Sequence, residues 1–248
     1  MLRKRLISVL TFNNGVLFRT KHFVPDYRYT ANFVDAWSID EIAMIDITRF
    51  GQGERQNFYE AVDFFARKCF VPIAAGGQVR TIEDFKMLLN AGADKIIVNT
   101  QAVEDPEFIT RAAQLYGSQC VVVSIDARRN ADGGYEVFTR CGTGPTGLKP
   151  DAWAREAERR GAGEILITSV DKDGSLEGYD NRLNHLVASA VKIPVLVSGG
   201  AGKWQDFVDG VLQGGASAIC TTNIYHFTES SIQSAKKYLS NAGVLVRN

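Results

Sequence analysis

The sequence predicts an α/β protein, a single (β/α)8 TIM barrel built from two (βα)4 half-barrel repeats and spanning residues 1–248. Two observations carry this, within a length that permits it. Eight short β-rich runs alternate with longer amphipathic ones, which is the pattern of successive βαβ units and a parallel sheet. The second half repeats the first: Glu41 with Glu164, Gly76 with Gly199, and Gly92 with Gly215 each lie 123 residues apart, close to half the length. At 248 residues the length admits one α/β barrel or two smaller domains equally well, so the organisation decides. An open doubly wound sheet would fit the length as well, but has no reason to repeat at half length.

The predicted strands are Arg5 to Thr11, Glu41 to Ile47, Val71 to Ala75, Lys95 to Asn99, Val121 to Asp126, Glu164 to Ser169, Val195 to Ser198 and Ala218 to Thr221. Val121-Val122-Val123 shows why: three β-branched residues in a row suit a strand buried on both faces. The start, Met1-Leu2-Arg3-Lys4-Arg5 and then Leu6 to Leu10, has the charge order of a signal peptide. Its apolar part is short and runs into Thr11 and Asn13-Asn14-Gly15, so it reads as the first strand. Helices fall between the strands. Thr81 with Asp84 three residues on makes a capping box, Gly92 follows as a stop, and Pro106 sits where a helix start tolerates it.

Lys+Arg and Asp+Glu balance at 28 each, which removes the electrostatic footprint of a nucleic-acid or anionic-membrane binder. No run approaches the ~18 apolar residues of a membrane span. The four cysteines and three histidines show no metal-ligand spacing. We therefore expect reduced thiols, a cytoplasmic setting, no cofactor, no metal, and a small-molecule or protein partner.

In a parallel barrel, ligands meet the carboxyl ends of the strands. Asp126 ends the fifth strand, and Asp46, Asp171 and Asp173 follow other strand ends, so several carboxylates border one mouth. Gly76-Gly77 and Gly199-Gly200-Ala201-Gly202 fall after strands three and seven, where backbone amides can approach an anion. Asn99-Thr100 and Thr222-Asn223 add amide and hydroxyl donors beside them. Four symmetric elements favour a substrate with two phosphates over tight turns alone. Asp171-Lys172-Asp173-Gly174-Ser175 also resembles the start of a calcium loop, but no glutamate follows at the required place. At the other end, Arg5, Glu41, Lys95 and Glu164 each begin a strand, two positive and two negative. They could form ordinary salt bridges at the barrel bottom or a ring around its axis.

Several segments together resemble one family. Lys4-Arg5-Leu6-Ile7, Asp94-Lys95 with Asn99-Thr100, and Gly117 through Ile125-Asp126-Ala127 match the cyclase subunit of imidazole glycerol phosphate synthase. So do Gly161-Ala162-Gly163-Glu164-Ile165-Leu166, Asp171-Lys172-Asp173-Gly174 and Ser198 to Gly202, and the resemblance runs from Met1 to Arg247. It implies a barrel that receives ammonia from a glutaminase docked at its amino-terminal face and uses it at the opposite mouth on a bis-phosphorylated ribonucleotide. It implies that Asp126 is one of two catalytic aspartates and that Arg5, Glu41, Lys95 and Glu164 are the ammonia gate. Gly76, Gly77, Asn99, Thr100, Thr168, Asp173, Gly199, Gly200, Gly202, Thr222 and Asn223 then contact substrate or its phosphates.

The departures cluster at the substrate end. Val9-Leu10-Thr11 stands where the family has Cys-Leu-Asp, and a threonine hydroxyl is no acid or base near neutral pH without an activating partner. Gln78 replaces a third glycine, Arg19 replaces a lysine, and the segment from Lys21 to Arg28 is unlike the family's. An intact ammonia end beside an altered substrate end resembles a paralogous group found with surface-polysaccharide genes. There a glutaminase and a cyclase-like barrel serve a separate sugar amidotransferase that makes acetamidino sugars. That role is the leading expectation, and a true cyclase of histidine biosynthesis is the alternative. An isomerase of the neighbouring histidine step would not need the charged ring, and a pure scaffold would not need Asp126.

Overall fold

The computed structural model describes residues 3–28, 39–49, 51–222 and 231–247. Eight parallel strands close on themselves: β1 (Arg5–Asn13), β4 (Glu41–Asp46), β5 (Ile73–Gly76), β6 (Lys95–Val98), β7 (Val121–Arg129), β10 (Glu164–Ser169), β11 (Val195–Ser198) and β12 (Ala218–Thr221). Closure is made by β12 against β1, with Arg5 opposite Ala218 and Ser8 opposite Thr221. The barrel is the predicted one. The third strand begins two residues later than expected, because Pro72 has no amide to give to a ladder.

The strand sequences are apolar on both faces because each face meets a different core. On β1, Leu6, Leu10 and Phe12 point outward to the helices, while Ile7 and Val9 point to the barrel axis. The inner cluster contains Ala43, Ala74, Ile97, Val122, Leu166, Leu196, Ala218 and Cys220. On β7 the inward face continues from Val122 through Ser124 to Asp126, since side chains alternate along a strand. That alternation aims Asp126 into the mouth.

The outer ring comprises α1 (Arg55–Lys68), α2 (Ile82–Asn90), α3 (Thr100–Glu104), α4 (Glu107–Tyr116), α5 (Pro150–Arg159), α6 (Asn181–Ala188), α7 (Trp204–Leu212) and α8 (Ser231–Asn241). The cap on α2 is as expected: Asp84 accepts from the Thr81 amide at 2.8 Å, and the Thr81 hydroxyl accepts from the Asp84 amide at 3.1 Å. Buried Phe85 and Leu88, three residues apart, give this helix its inner face.

Among the described residues, four further strands lie outside the barrel ladder. β2 (Val16–Lys21) folds back antiparallel on β1 and pairs with β3 (Val24–Arg28). β8 (Tyr135–Thr139) folds back on β7 and pairs with β9 (Gly144–Pro145). Each half-barrel therefore starts with a nine-residue strand that overshoots the barrel rim and turns into a hairpin.

Phe85 is fully buried, stacked on Tyr116 with ring centroids 5.0 Å apart and near Phe108 at 6.5 Å. Phe85→Ala is expected to cost about 3–5 kcal/mol of unfolding free energy. Urea denaturation checks this, and a loss below about 1 kcal/mol would mean that the site collapses around the deletion.

Candidate functional site

The mouth at the carboxyl ends of the strands holds a cavity of about 500 Å³. Of the residues expected there, Thr11, Gly77, Asn99, Thr100, Asp126, Thr168, Asp173 and Thr222 line it. Asn223 lies outside the described residues. Gly76, Gly199, Gly200 and Gly202 are not among the lining residues.

Asp126 is buried, and its Oδ1 accepts a hydrogen bond from the Ser124 hydroxyl at 3.1 Å. Burial pushes its carboxyl up to about 7; the Ser124 hydroxyl opposes this and the charge of Asp173 reinforces it. An acid so placed exchanges a proton near neutral pH, which is the requirement for general acid–base work. Thr11, the half-barrel counterpart, is also buried, but its hydroxyl donates to the Phe18 carbonyl of β2. It fastens the hairpin and offers no proton chemistry.

The two glycine loops end alike, in a pair of amides taken up by the cap of the next helix. Asp84 accepts from the amides of Arg80 and Thr81 at 3.0 and 2.8 Å, and Asp206 accepts from those of Gly202 and Lys203 at 2.8 and 3.0 Å. Gly202 thus serves the start of α7. Gly77 and Gly200 are held by close backbone contacts: a Cβ on Gly77 would lie 2.1 Å from the Asp46 carbonyl, and one on Gly200 2.3 Å from that of Gly178. With φ of +95° and +109°, both positions favour glycine twice over. Gln78 has φ of +52° and folds its amide onto Asp46 and Thr48, donating at 3.3 and 3.0 Å. Asp46 also accepts from Arg55 at 3.0 Å, so it is tied into the wall. Asn99 donates to the Ser124 carbonyl at 3.1 Å, and the Thr100 hydroxyl accepts from the Arg140 amide at 3.0 Å.

At the opposite end the four predicted charges form a closed ring. The Arg5 guanidinium reaches Glu41 with one nitrogen and Glu164 with another, both at 2.7 Å. Lys95 bridges the same carboxylates from the other side at 3.0 and 2.9 Å. Burial alone would lower the proton affinity of Arg5, but the charges of Glu164 and Glu41 outweigh it and the guanidinium is held more firmly protonated. Just above on the axis, burial pushes the Cys220 thiol up, reinforced by Glu41. The ring is therefore an axial plug and not a set of surface pairs.

Sequence reasoning missed the roof over the mouth. Phe23, Thr20, Arg49, Arg140, Cys141 and Thr143 also line the cavity. Asn14-Gly15, with φ of 49° and 74°, is a two-residue hairpin turn that the sequence does announce. The turn at His22-Phe23 has φ of 50° and 64° without any glycine, so it carries no such signal. Among the described residues, no group of three or more His, Cys, Asp or Glu side chains is placed to hold a metal. No described helix is long and apolar enough to cross a membrane.

Asp126 links stability to pH. Its carboxyl rises from 3.8 to about 7 on folding, so between those values the folded chain holds a proton that the unfolded chain has lost. Its contribution is fully present below the unfolded value and is lost as pH rises through the folded one, an effect on the order of a few kcal/mol. Asp126→Asn is expected to be more stable than the parent at pH 8, with the gap closing toward pH 4. Urea titrations at both values check this; a gap independent of pH would sink it.

The barrel agrees with one comparison. The model of the family described as Histidine biosynthesis protein matches residues 8–231. With nearly the whole barrel inside that match, the chain belongs to the histidine biosynthesis protein family.

Proposed function

We propose that this chain is the ammonia-channelling barrel subunit of a glutamine-dependent amidotransferase system resembling imidazole glycerol phosphate synthase, supplying nitrogen for acetamidino-sugar synthesis. One observation carries the reading. The four-charge ring is complete and closed, while Thr11, opposite Asp126, is bound to the hairpin carbonyl. The machinery for admitting a small neutral species is intact, and one arm of a two-carboxylate mechanism is gone.

The physical argument concerns what such a ring admits. Each charge touches two of the opposite sign, and an ion entering the axis would disturb these pairs as well as lose its own water. Ammonia is neutral and small. Beyond the ring the inner cluster is apolar and contains the small side chains Ala43, Ala74 and Ala218. The same end also exposes Phe70, Leu212 and Leu245, at 87%, 65% and 59%. Phe70 follows α1, Leu212 ends α7 and the Leu245 carbonyl accepts from the Lys4 amide just before β1, so they lie at the amino-terminal end of the barrel and offer apolar area to a glutaminase subunit. At the opposite mouth, the exposed Val24 and the Arg19–Asp26 pair at 2.7 Å give the hairpin an outer face for a separate sugar amidotransferase.

The second reading is a true cyclase of histidine biosynthesis, producing imidazole glycerol phosphate at the mouth from a bis-phosphorylated ribonucleotide. It is favoured by Asp126, whose near-neutral carboxyl is fit for proton transfer, and by the polar lining of Asn99, Thr100, Thr168 and Thr222.

The purified chain, given the ribonucleotide and either free ammonia or glutamine with a cognate glutaminase, is expected to form little imidazole glycerol phosphate. Robust cyclisation with free ammonia would overturn the acetamidino reading in favour of the second. For the gate, Lys95→Met or Glu164→Gln leaves a partner charge uncompensated, and is expected to let glutamine hydrolysis proceed while nitrogen transfer falls at least tenfold. Coupling unchanged in both variants would return these residues to ordinary salt bridges.

A further inference from the structure

Asp126 has a second carboxylate beside it, and this one does not come from β1. Asp173, in the loop between β10 and α6, lines the same cavity, and its charge raises the proton affinity of Asp126. Three groups hold Asp173, and all three come from the β2–β3 hairpin, Thr20 from β2 and His22 and Phe23 from its turn. The Phe23 amide donates to its Oδ2 at 3.0 Å, the Thr20 side chain hydrogen-bonds it, and His22 attracts it. The His22 amide also donates to the Asp173 carbonyl at 3.1 Å, and His22 Nδ1 lies 3.4 Å from the Val170 carbonyl. The roof is thus clamped on the loop that carries the second acid.

We propose that Asp173 is the partner carboxylate of Asp126 in this barrel, a positioning residue held in place by the docked β2–β3 hairpin, so that hairpin docking controls how Asp126 holds and releases its proton. Two acids at one mouth divide the roles of proton holder and fixed charge when their surroundings differ. Asp126 is enclosed with one neutral donor, Ser124, and is the holder. Burial pushes the Asp173 carboxyl up as well, but the Phe23 amide, the Thr20 side chain and the charge of His22 oppose it, so its ionised form has more support than that of Asp126. When the hairpin lifts, both carboxylates meet water and the difference disappears.

The other titratable groups of the mouth do not compete for this role. Asp46 is bound by Arg55 and Gln78 on the far wall, and Cys141, in the turn between β8 and β9, is pushed up by burial and hydrogen-bonded by Arg49. Thr168, the register neighbour of Asp126 on β10, does not titrate. Thr11 makes the same hairpin possible from below through its bond to Phe18. The substitution that removed one acid from β1 thereby anchors the segment that presents another.

The inference rests on Asp126 being the acid of the mouth and on no particular nitrogen acceptor. The test needs neither substrate nor glutaminase, so its failure and failure of ammonia transfer are separate results. In the full chain carrying ¹³C-labelled aspartate, the Asp126 carboxyl signal should titrate near 7, and the Asp173 signal should show an inflection at the same pH because coupled sites report each other. In Asp173→Asn the Asp126 midpoint should fall. In Thr20→Val, which removes one hairpin contact and leaves both acids, the Asp173 midpoint should rise. An Asp126 midpoint unmoved in Asp173→Asn overturns the proposal. If that variant does not fold, absence of the shared inflection in the unmodified chain overturns it, and an unmoved Asp173 in Thr20→Val removes the hairpin's role.

Discussion

Two positive and two negative side chains share the axis at the amino-terminal end of the barrel, and the register of the strands depends on their meeting there. A buried ion with one partner removed is destabilising by several kcal/mol, whereas a ring in which every charge has two opposite neighbours leaves none uncompensated. Arg5, Glu41, Lys95 and Glu164 come from strands 1, 2, 4 and 6 of the closed ladder. A one-residue slip of any of these strands would turn its charge outward into the helix layer. The ring thus fixes which residues point inward, and at the other end of the same strands the alternation delivers Thr11, Asn99, Asp126 and Thr168 to the mouth.

Much of this was legible in the sequence because it depends on period and repeat. The half-length offset gave the closed barrel and Thr81 with Asp84 gave the cap of α2, while the charged residues at strand starts left a ring and ordinary salt bridges both open until the family resemblance favoured the ring. What the sequence could not give was the use made of each glycine. Gly199-Gly200 and Gly202 look like an anion cradle; in the fold the second loop also packs against the Gly178 and Leu176 carbonyls, and Gly202 caps its own helix through Asp206. Composition names the residue type, but whether an amide faces a ligand or a neighbouring loop depends on contacts between distant segments.

The hairpins were legible at one turn only, Asn14-Gly15, and the rest of them was hidden for a different reason. Their strands are short and their partners are extensions of barrel strands, so no separate hydrophobic period marks them. Asp173 stood out as one of several acids after a strand and, through the family resemblance, as a substrate contact, not as the partner of Asp126. Its importance comes from Thr20, His22 and Phe23, about 150 residues earlier in the chain, and no local pattern records that meeting.

Phe23 also touches the second hairpin: a Cβ on Gly142 would lie 3.1 Å from its ring. The contact is one-sided, since the tip of the first hairpin rests on the turn of the second. The duplicated architecture has in this way acquired a sense of before and after. A barrel assembled from two copies of either half would keep its staves and lose its roof, so the halves of this chain are no longer interchangeable parts.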